Sequence, residues 1–449
     1  MKATKIFMMA ALALAFAACS NNDDDFAQQP SAQPANGEIT ITATLDANDG
    51  ASNRALSIDG SNIASTWKTT DQFAILYNNG TEDTKSIATV DKIDGTTVTI
   101  TFTVSSSLAN NTACTIVYPA SAANAGNTGA DVATALATQD GTIGNCPEVR
   151  VGTATIDKDN HNLTSVTKLT AQNAIFKFTL QDLSDGAKSA TEFKVSDGSD
   201  NVITTVTPGS ASGELYVALP VMAAGTYWFK ATIDSKPYIA KANISTATVA
   251  GKYYQTTVKM ATIGDVILAN GKFAVAGTDG ARAKICYLGS ETAEAAYGFN
   301  HGLALALSDA STGCKWSTSY GTVHTYKAAR STFTEESGLQ YNAMHDSEID
   351  QYPAFKAAIA NNGTAAPTGS GCSAWFLASG YQWKQMIGAT GLNNLGLTGN
   401  AYYWASTERD AGSAWIISTL DGDWGNWGSI AKDDDSVVSL SRVRACLAF

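Results

Sequence analysis

Thr97-Val98-Thr99-Ile100-Thr101-Phe102-Thr103-Val104 alternates threonine with a large apolar residue at every step. A period of two puts Val98, Ile100, Phe102 and Val104 on one face and the threonines on the other, the pattern of a half-buried β-strand. Asp94-Gly95 stands just before it, and glycine accepts the positive φ that a tight hairpin turn needs. The same alternation occurs upstream, where Ile39, Ile41, Ala43 and Leu45 interleave with Thr40, Thr42 and Thr44. Further apolar, β-branched or aromatic runs at 73–77, 114–118, 174–180, 192–195, 214–219, 227–233 and 253–260 are separated by polar turns. Many short strands at such spacing predict an all-β sandwich across 37–261.

Toward the start of the chain the pattern changes character. Lys2 and Lys5 precede an apolar run over 6–18, and Cys19 follows. That run is too short to span a bilayer as a helix and fits the apolar core of a signal peptide over 1–18. Ala17-Ala18-Cys19 resembles a bacterial lipobox, with Phe16 where Leu or Val is usual, so Cys19 is the expected lipidation site. Residues 19–36 begin with Ser20-Asn21-Asn22-Asp23-Asp24-Asp25 after the cysteine and read as a polar, acidic tether. The acidic run resembles a surface-export tag of outer-membrane lipoproteins.

Beyond residue 262 the composition shifts, with seven of the nine tryptophans and three of the four histidines. Helices are expected over 301–310, where Leu303 and Leu307 lie four apart, and over 352–360, ahead of Asn361-Asn362-Gly363. Ser379-Gly380-Tyr381-Gln382 is a capping box, and Trp383, Met386 and Ile387 share one face behind it. Strands return at 401–406, 414–418 and 438–449, so residues 262–449 read as α+β. Trp375, Trp383, Trp404 and Trp415 fall inside these patterns and are expected in the core. Six cysteines remain after Cys19, with no C-x-x-C pair. In an exported chain they are disulfide candidates: Cys114 with Cys146, and three connectivities among Cys286, Cys314, Cys372 and Cys446.

The formal net charge is −12, so a basic footprint for nucleic acid is missing. H-E-x-x-H, P-loop, G-x-G-x-x-G and G-x-S-x-G motifs are absent from the sequence. His161, His301, His324 and His345 show no metal-ligand spacing, and Asp433-Asp434-Asp435 reads as a solvated loop. No enzyme activity, metal or cofactor is expected.

Residues 37–260 resemble the fimbrillin family, subunits of Bacteroidetes-type pili. The resemblance rests on the Thr-rich first strand, on Asn53-Arg54-Ala55, and on Trp67-Lys68-Thr69-Thr70-Asp71-Gln72-Phe73-Ala74-Ile75, which is similar to a Trp-x-x-x-Asp-x-aromatic-x-Ile/Val signature. It implies a surface lipoprotein precursor cut after Arg54 by an Arg-specific or trypsin-like protease. The new start would be Ala55. The first strand would leave, and a strand from another fimbrial subunit would fill the groove by donor-strand complementation.

Residues 262–449 resemble a C-type-lectin-like module. Ile263-Gly264-Asp265-Val266, Trp375-Phe376-Leu377-Ala378-Ser379, Gln382-Trp383, Tyr403-Trp404-Ala405-Ser406-Thr407-Glu408 and Arg442-Val443-Arg444-Ala445-Cys446 carry the likeness. Ala378 and Gln382 replace a common Pro and Glu. The Glu-Pro-Asn and Trp-Asn-Asp pieces of a lectin calcium site are absent. Asp421-Gly422-Asp423-Trp424-Gly425-Asn426-Trp427 sets two tryptophans in a glycine-rich loop, making Trp424, Asn426 and Trp427 the ligand-binding candidates for a glycan or protein. Taken together, the two resemblances imply a cell-surface pilus subunit, tip or accessory, joined to other fimbrial subunits and anchored to the outer membrane as a precursor. The alternative is a non-polymerising surface lipoprotein that binds a glycan or protein.

Overall fold

The computed structural model describes residues 37–46, 57–59, 62–64, 67–95, 97–319, 327–368, 371–420 and 427–449. The first region carries β1 (Glu38–Asp46), β2 (Ser57–Asp59), β3 (Asn62–Ala64), β4 (Gln72–Asn78), β5 (Asp83–Asp94), β6 (Thr97–Ser105) and β7 (Thr112–Tyr118). After these come α1 (Val132–Leu136), β8 (Thr138–Gln139), β9 (Arg150–Asp157), β10 (Asn162–Thr164) and β11 (Thr170–Ala171). The sheet runs β1-β6-β5-β4-β7-β9-β10, with β11 on β9 and β2-β3 as a separate hairpin. The alternating strands face inward together: Ile41, Leu45, Phe73, Ile75, Val98, Ile100 and Ile116 are buried in one core. The turn after β10's partner strand closes the sheet, because Thr42 N donates to the His161 carbonyl across 3.1 Å.

A second sheet follows: β12 (Asn173–Asp182), β13 (Glu192–Ser196), β14 (Val202–Val206), β15 (Glu214–Pro220), β16 (Gly225–Ile233), β17 (Lys236–Ile244) and β18 (Tyr253–Thr262). Its order is β15-β12-β18-β17-β16-β13-β14-β8. The stretch read as one sandwich therefore forms two eight-stranded sheets, each with its own core. Phe176, Phe178, Phe193 and Phe229 fill the second. The two are joined by strand β8 and by a third apolar cluster of Ala74, Leu76, Val117, Leu136, Ile175 and Ala218. Buried Gln139 secures this joint: its Nε2 donates to the Leu136 and Ala218 carbonyls (3.0 and 2.7 Å), and its Oε1 accepts from Ala218 N (2.8 Å). A side-chain amide here satisfies backbone groups that would otherwise be buried unpaired.

The third region contains β19 (Val266–Leu268), β20 (Phe273–Ala274), β21 (Ala281–Leu288), β22 (Gly302–Ala306), α2 (Gly338–Met344), α3 (Pro353–Ala360) and β23 (Phe376–Leu377). The rest comprises α4 (Gly380–Thr390), β24 (Tyr402–Glu408), β25 (Ser413–Ser418), β26 (Trp427–Ala431), β27 (Ser441–Arg442) and β28 (Ala445–Ala448). A six-stranded sheet, β20-β19-β21-β22-β28-β23, packs with a four-stranded one, β26-β25-β24-β27, and the helices. Helix α4 starts as expected: Ser379 Oγ accepts from Gln382 N and Gln382 Oε1 from Ser379 N, at 3.2 and 3.0 Å. Helix α3 ends at Asn361 with φ 40°. The four expected core tryptophans are buried.

The helix expected over 301–310 is instead β22. All five of its residues are buried, and β21 and β28 flank it. A short apolar run buried on both faces carries no periodicity that separates strand from helix. Leu307, the second leucine of the presumed helical pair, is 49% exposed. Likewise the expected strand over 438–449 is interrupted: a 3-10 turn at Val438–Leu440 precedes β27 and β28.

Candidate functional site

The clearest separable feature is the seat of β1. It pairs antiparallel with β6 over its whole length, from Glu38 opposite Ser105 to Asp46 opposite Thr97. On the inner face, Ile39 meets Val104, Ile41 meets Phe102, Ala43 meets Ile100 and Leu45 meets Val98. Ile41 and Leu45 are fully buried, and each such side chain contributes about 1.5–3 kcal/mol relative to exposure. Its other edge is held only lightly among the described residues. His161, at φ 55°, accepts from Thr42 N, and its Nδ1 donates to the Thr40 carbonyl at 3.2 Å. Thus β1 is an edge strand with one full ladder.

Behind it, the Trp67–Ile75 signature acquires a physical reason. Trp67, Phe73 and Tyr118 form an aromatic triad with ring centroids 5.1–5.4 Å apart. Asp71 ties the entry turn to this triad: its carboxylate accepts from Lys68 N at 2.8 Å and from the Tyr118 hydroxyl at 3.0 Å.

Cys19, Arg54, Ala55, Trp424, Asn426 and His324 lie outside the described residues. Trp427 opens β26 and is half-buried. Its ring packs edge-on to Phe333 (5.0 Å) and against Trp415 (6.5 Å), with the Arg330 guanidinium 5.6 Å above it. It belongs to the fringe of the third-region core.

The disulfide expectation is corrected: all six described cysteines are free thiols. Cys114 faces the core of the first sheet, whereas Cys146 lies in the cluster on that sheet's opposite side. Cys286 on β21 and Cys446 on β28 are separated by β22. Two strand spacings are roughly 9.6 Å, beyond disulfide reach. Cys314 and Cys372 border two further, different cores. Burial pushes the Cys114 and Cys286 thiols up to about 12 and Cys372 to about 11, which suppresses the reactive thiolate.

Among the described residues, no three His, Cys, Asp or Glu side chains gather as a metal site. Asp434 accepts from Ser436, and Asp435 pairs with Lys315 at 2.9 Å. In the third-region interior, Glu294 is fully buried and accepts from Ser337, Leu339 N and Gln382 Nε2. Burial raises its pKa despite those bonds. Asp309 pairs with Arg442 and Arg444 and accepts from Tyr403 and Thr398. Each has its partners and reads as structure.

A polar cavity that the sequence reading missed lies where the second sheet meets the third region. It has a volume of about 340 Å³. Asp200 Oδ2 receives Lys230 Nζ at 2.7 Å and Asn300 Nδ2 at 3.2 Å. Asp200 Oδ1 stands 3.7 Å from His301 Nδ1. Neither of those atoms has a hydrogen-bond partner, nor has Ser196 Oγ. His301 is 4% exposed and lies against Trp228, their ring centroids 3.7 Å apart and the planes tilted by 35°. Burial, then Lys230, lowers its pKa to about 4, against the pull of Asp200. Its groups come from three separate stretches, 196–200, 228–230 and 300–301, so no local spacing announces it.

No family model and no curated protein matches the chain. Among solved structures, it is similar to a fimbrial protein from Bacteroides ovatus: 14% identity, 93% of this chain and 100% of that one covered, TM-score 0.32. It is also similar to the tip fimbrial protein Mfa3 from Porphyromonas gingivalis with C-terminal truncation (11%, covering 50% and 98%, TM-score 0.25). A third is a fimbrial assembly protein from Parabacteroides distasonis (10%, covering 49% and 90%, TM-score 0.27). Scores this low carry no argument about fold or function.

Proposed function

We propose that this chain is a surface fimbrial subunit, exported as a lipoprotein on Cys19, whose β1 is released by cleavage between Arg54 and Ala55. A strand from a neighbouring subunit then takes the place of β1. The observation that carries this reading is the seat of β1: an edge strand with one ladder, an apolar face that plugs the core, and a light clasp on the other side. Removing it would leave the β6 edge unpaired above an open apolar groove, which an incoming strand of the same alternation fits. The sequence signature 67–75 supports the same reading, since it builds the wall next to that core.

The third region, with its lectin-like sequence pieces, is the outward-facing adhesin of a tip or accessory subunit. Strand β28 is paired on both sides and Phe449 is buried, so this segment is held inside its own sheet rather than offered to a neighbour. The deciding experiment is intact mass with N-terminal sequencing of protein recovered from the cell surface. A chain starting at Ala55 is the expected result. An acylated chain starting at Cys19, with β1 retained, would instead make it a non-polymerising binding lipoprotein or a base subunit. Immunogold labelling along the whole fibre would overturn the tip placement.

A further inference from the structure

We infer that Lys230 and Asn300 become joined by an intramolecular isopeptide bond, formed with Asp200 as proton shuttle, which staples the second sheet covalently to the third region. The inference rests on this side-chain cluster and is independent of strand exchange and of any ligand.

The three groups arrive from separate elements. The turn between β13 and β14 supplies Asp200, at φ 64°. Asp197 fixes that turn: its carbonyl accepts from Asp200 N at 3.1 Å, and its carboxylate accepts from Ser199 N and Asn201 N, both at 2.9 Å. Strand β16 supplies Lys230, and Asn300 stands just ahead of β22. One carboxylate oxygen touches both nitrogens: Asp200 Oδ2 accepts from Lys230 Nζ at 2.7 Å and from Asn300 Nδ2 at 3.2 Å. Amide exchange onto a lysine needs this set: a nucleophilic amine, a carboxamide carbon with its leaving nitrogen, and an acid–base group in contact with both nitrogens.

The surroundings favour the exchange. Side-chain exposure is 13% at Asp200 and 29% at Lys230, and Asn300 is half-buried. Asp200 Oδ1 is closed to solvent. Burial keeps the facing His301 neutral at pH 7, so it adds no cation to the one Asp200 already holds. The neighbouring Lys194 is occupied by Glu192 at 2.8 Å. Removal from water penalises the charged forms of both partners, which brings the neutral amine and carboxylic acid within reach of a single proton shift.

The step balances without a co-reactant. Asp200 Oδ2 takes a proton from the Lys230 ammonium, and the freed lone pair attacks Cγ of Asn300 to form the Nζ–Cγ bond. Asp200 passes a proton to Asn300 Nδ2, and the Cγ–Nδ2 bond breaks with its electron pair going to the leaving nitrogen. The second proton lost by Nζ goes with the ammonia, so ammonium departs and the Asp200 carboxylate is regenerated. Nothing is oxidised or reduced. The six described cysteines are free thiols, so this amide gives the chain a covalent tie that they do not. It closes the segment from β16 to β22 into a loop and restricts the unfolded chain as any cross-link does. Force pulling the third region away from the second sheet is then carried by an amide as well as by the packed face around Trp228 and Ile239.

The test is peptide mapping by mass spectrometry of the full chain recovered from the cell surface, with Lys230→Arg, Asn300→Ala and Asp200→Ala chains alongside. Arginine keeps the ion pair with Asp200, but its guanidinium stays protonated and is no nucleophile, so Lys230→Arg removes the bond while preserving the contact that supports folding. The expected result is a branched tryptic peptide joining the Lys230 and Asn300 segments, about 17 Da lighter than the two together through loss of ammonia. It should be present in the wild type and missing from all three variants. Separate, unmodified Lys230 and Asn300 peptides in the wild type would overturn the assignment. So would a link to Lys230 with a loss of about 18 Da, the mass of water, which would place the bond at Asp200 itself, or an ammonia loss that persists in Lys230→Arg. None of these outcomes bears on the chain terminus found at the surface, so failure of this bond and failure of the pilus reading are told apart.

Discussion

At the scale of single residues, Asp71 and His301 show how one side chain serves a whole element. Asp71 accepts from both a turn amide and the Tyr118 hydroxyl, so it fixes the chain just before β4 enters the core. Asp71→Ala should destabilise the folded chain by about 1–3 kcal/mol, because it leaves Tyr118, buried among Trp67 and Phe73, with a donor to satisfy elsewhere. A lowered urea midpoint at unchanged slope would register this; an unchanged midpoint would refute it. His301 sets a pH dependence. Its pKa is depressed in the folded state to about 4 from 6.5. Between those values the unfolded chain binds a proton that the folded chain does not. Its contribution to stability is therefore complete above pH 6.5 and is lost as the pH falls toward 4. The slope is at most about 1.4 kcal/mol per pH unit. Urea titrations at pH 7 and pH 5 should show a larger loss in the wild type than in His301→Gln; equal losses would mean that other groups carry the acid sensitivity.

At the scale of elements, β1 is the part whose removal is most informative. Its inner side chains lie opposite Val98, Ile100, Phe102 and Val104, and nothing else described covers that face of β6 from its outer side. Cleaving the chain after Arg54 should lower the thermal midpoint. Adding a synthetic peptide of residues 37–46 should restore it in a concentration-dependent way, since a ligand binding only the folded form stabilises by mass action. The same peptide carrying Ile41→Asp should fail, because a carboxylate would enter a dry core. If the cleaved chain melts where the intact one does, β1 is not part of the core's support. This strand was legible from the alternation of Thr with Ile, Ala and Leu, as were β4, β6, β7, β12 and the capping box of α4. Strand β5 was not, because its inward positions Thr84, Ser86 and Ala88 are polar or small while Ile87 faces outward, so no apolar alternation shows. The helix misread at 301–310 has the opposite cause: β22 is apolar on both faces, so its pattern held no period to read.

At the scale of the whole molecule, two joints decide whether the three regions act as one body. The first is the Gln139 joint between the sheets, which local sequence does not announce because its partners at Thr204 and Ala218 are distant. The second is the cluster that packs Trp228, Ile239 and Ala261 of the second sheet against Ile285, Ala304, Leu447 and Phe449 of the third region. Both the cavity and this cluster depend on the same contact, since His301 packs against Trp228 and Gly302 follows it. A Cβ at Gly302 would sit 2.5 Å from the Tyr287 carbonyl oxygen, so only glycine lets β21 and β22 approach closely enough to seat His301 there. Trp228→Ala should cost about 3–5 kcal/mol, the range for emptying a large aromatic site. The loss should also be unevenly distributed. With the shared cluster hollowed, the second sheet and the third region retain their own cores of phenylalanines and tryptophans. Calorimetry should then resolve two unfolding steps in the variant and one joint step in the wild type, because cooperativity between the regions passes through that cluster. A single transition merely shifted downward would mean that the regions are coupled elsewhere, through the β17–β18 connection to β19 rather than through the packed face.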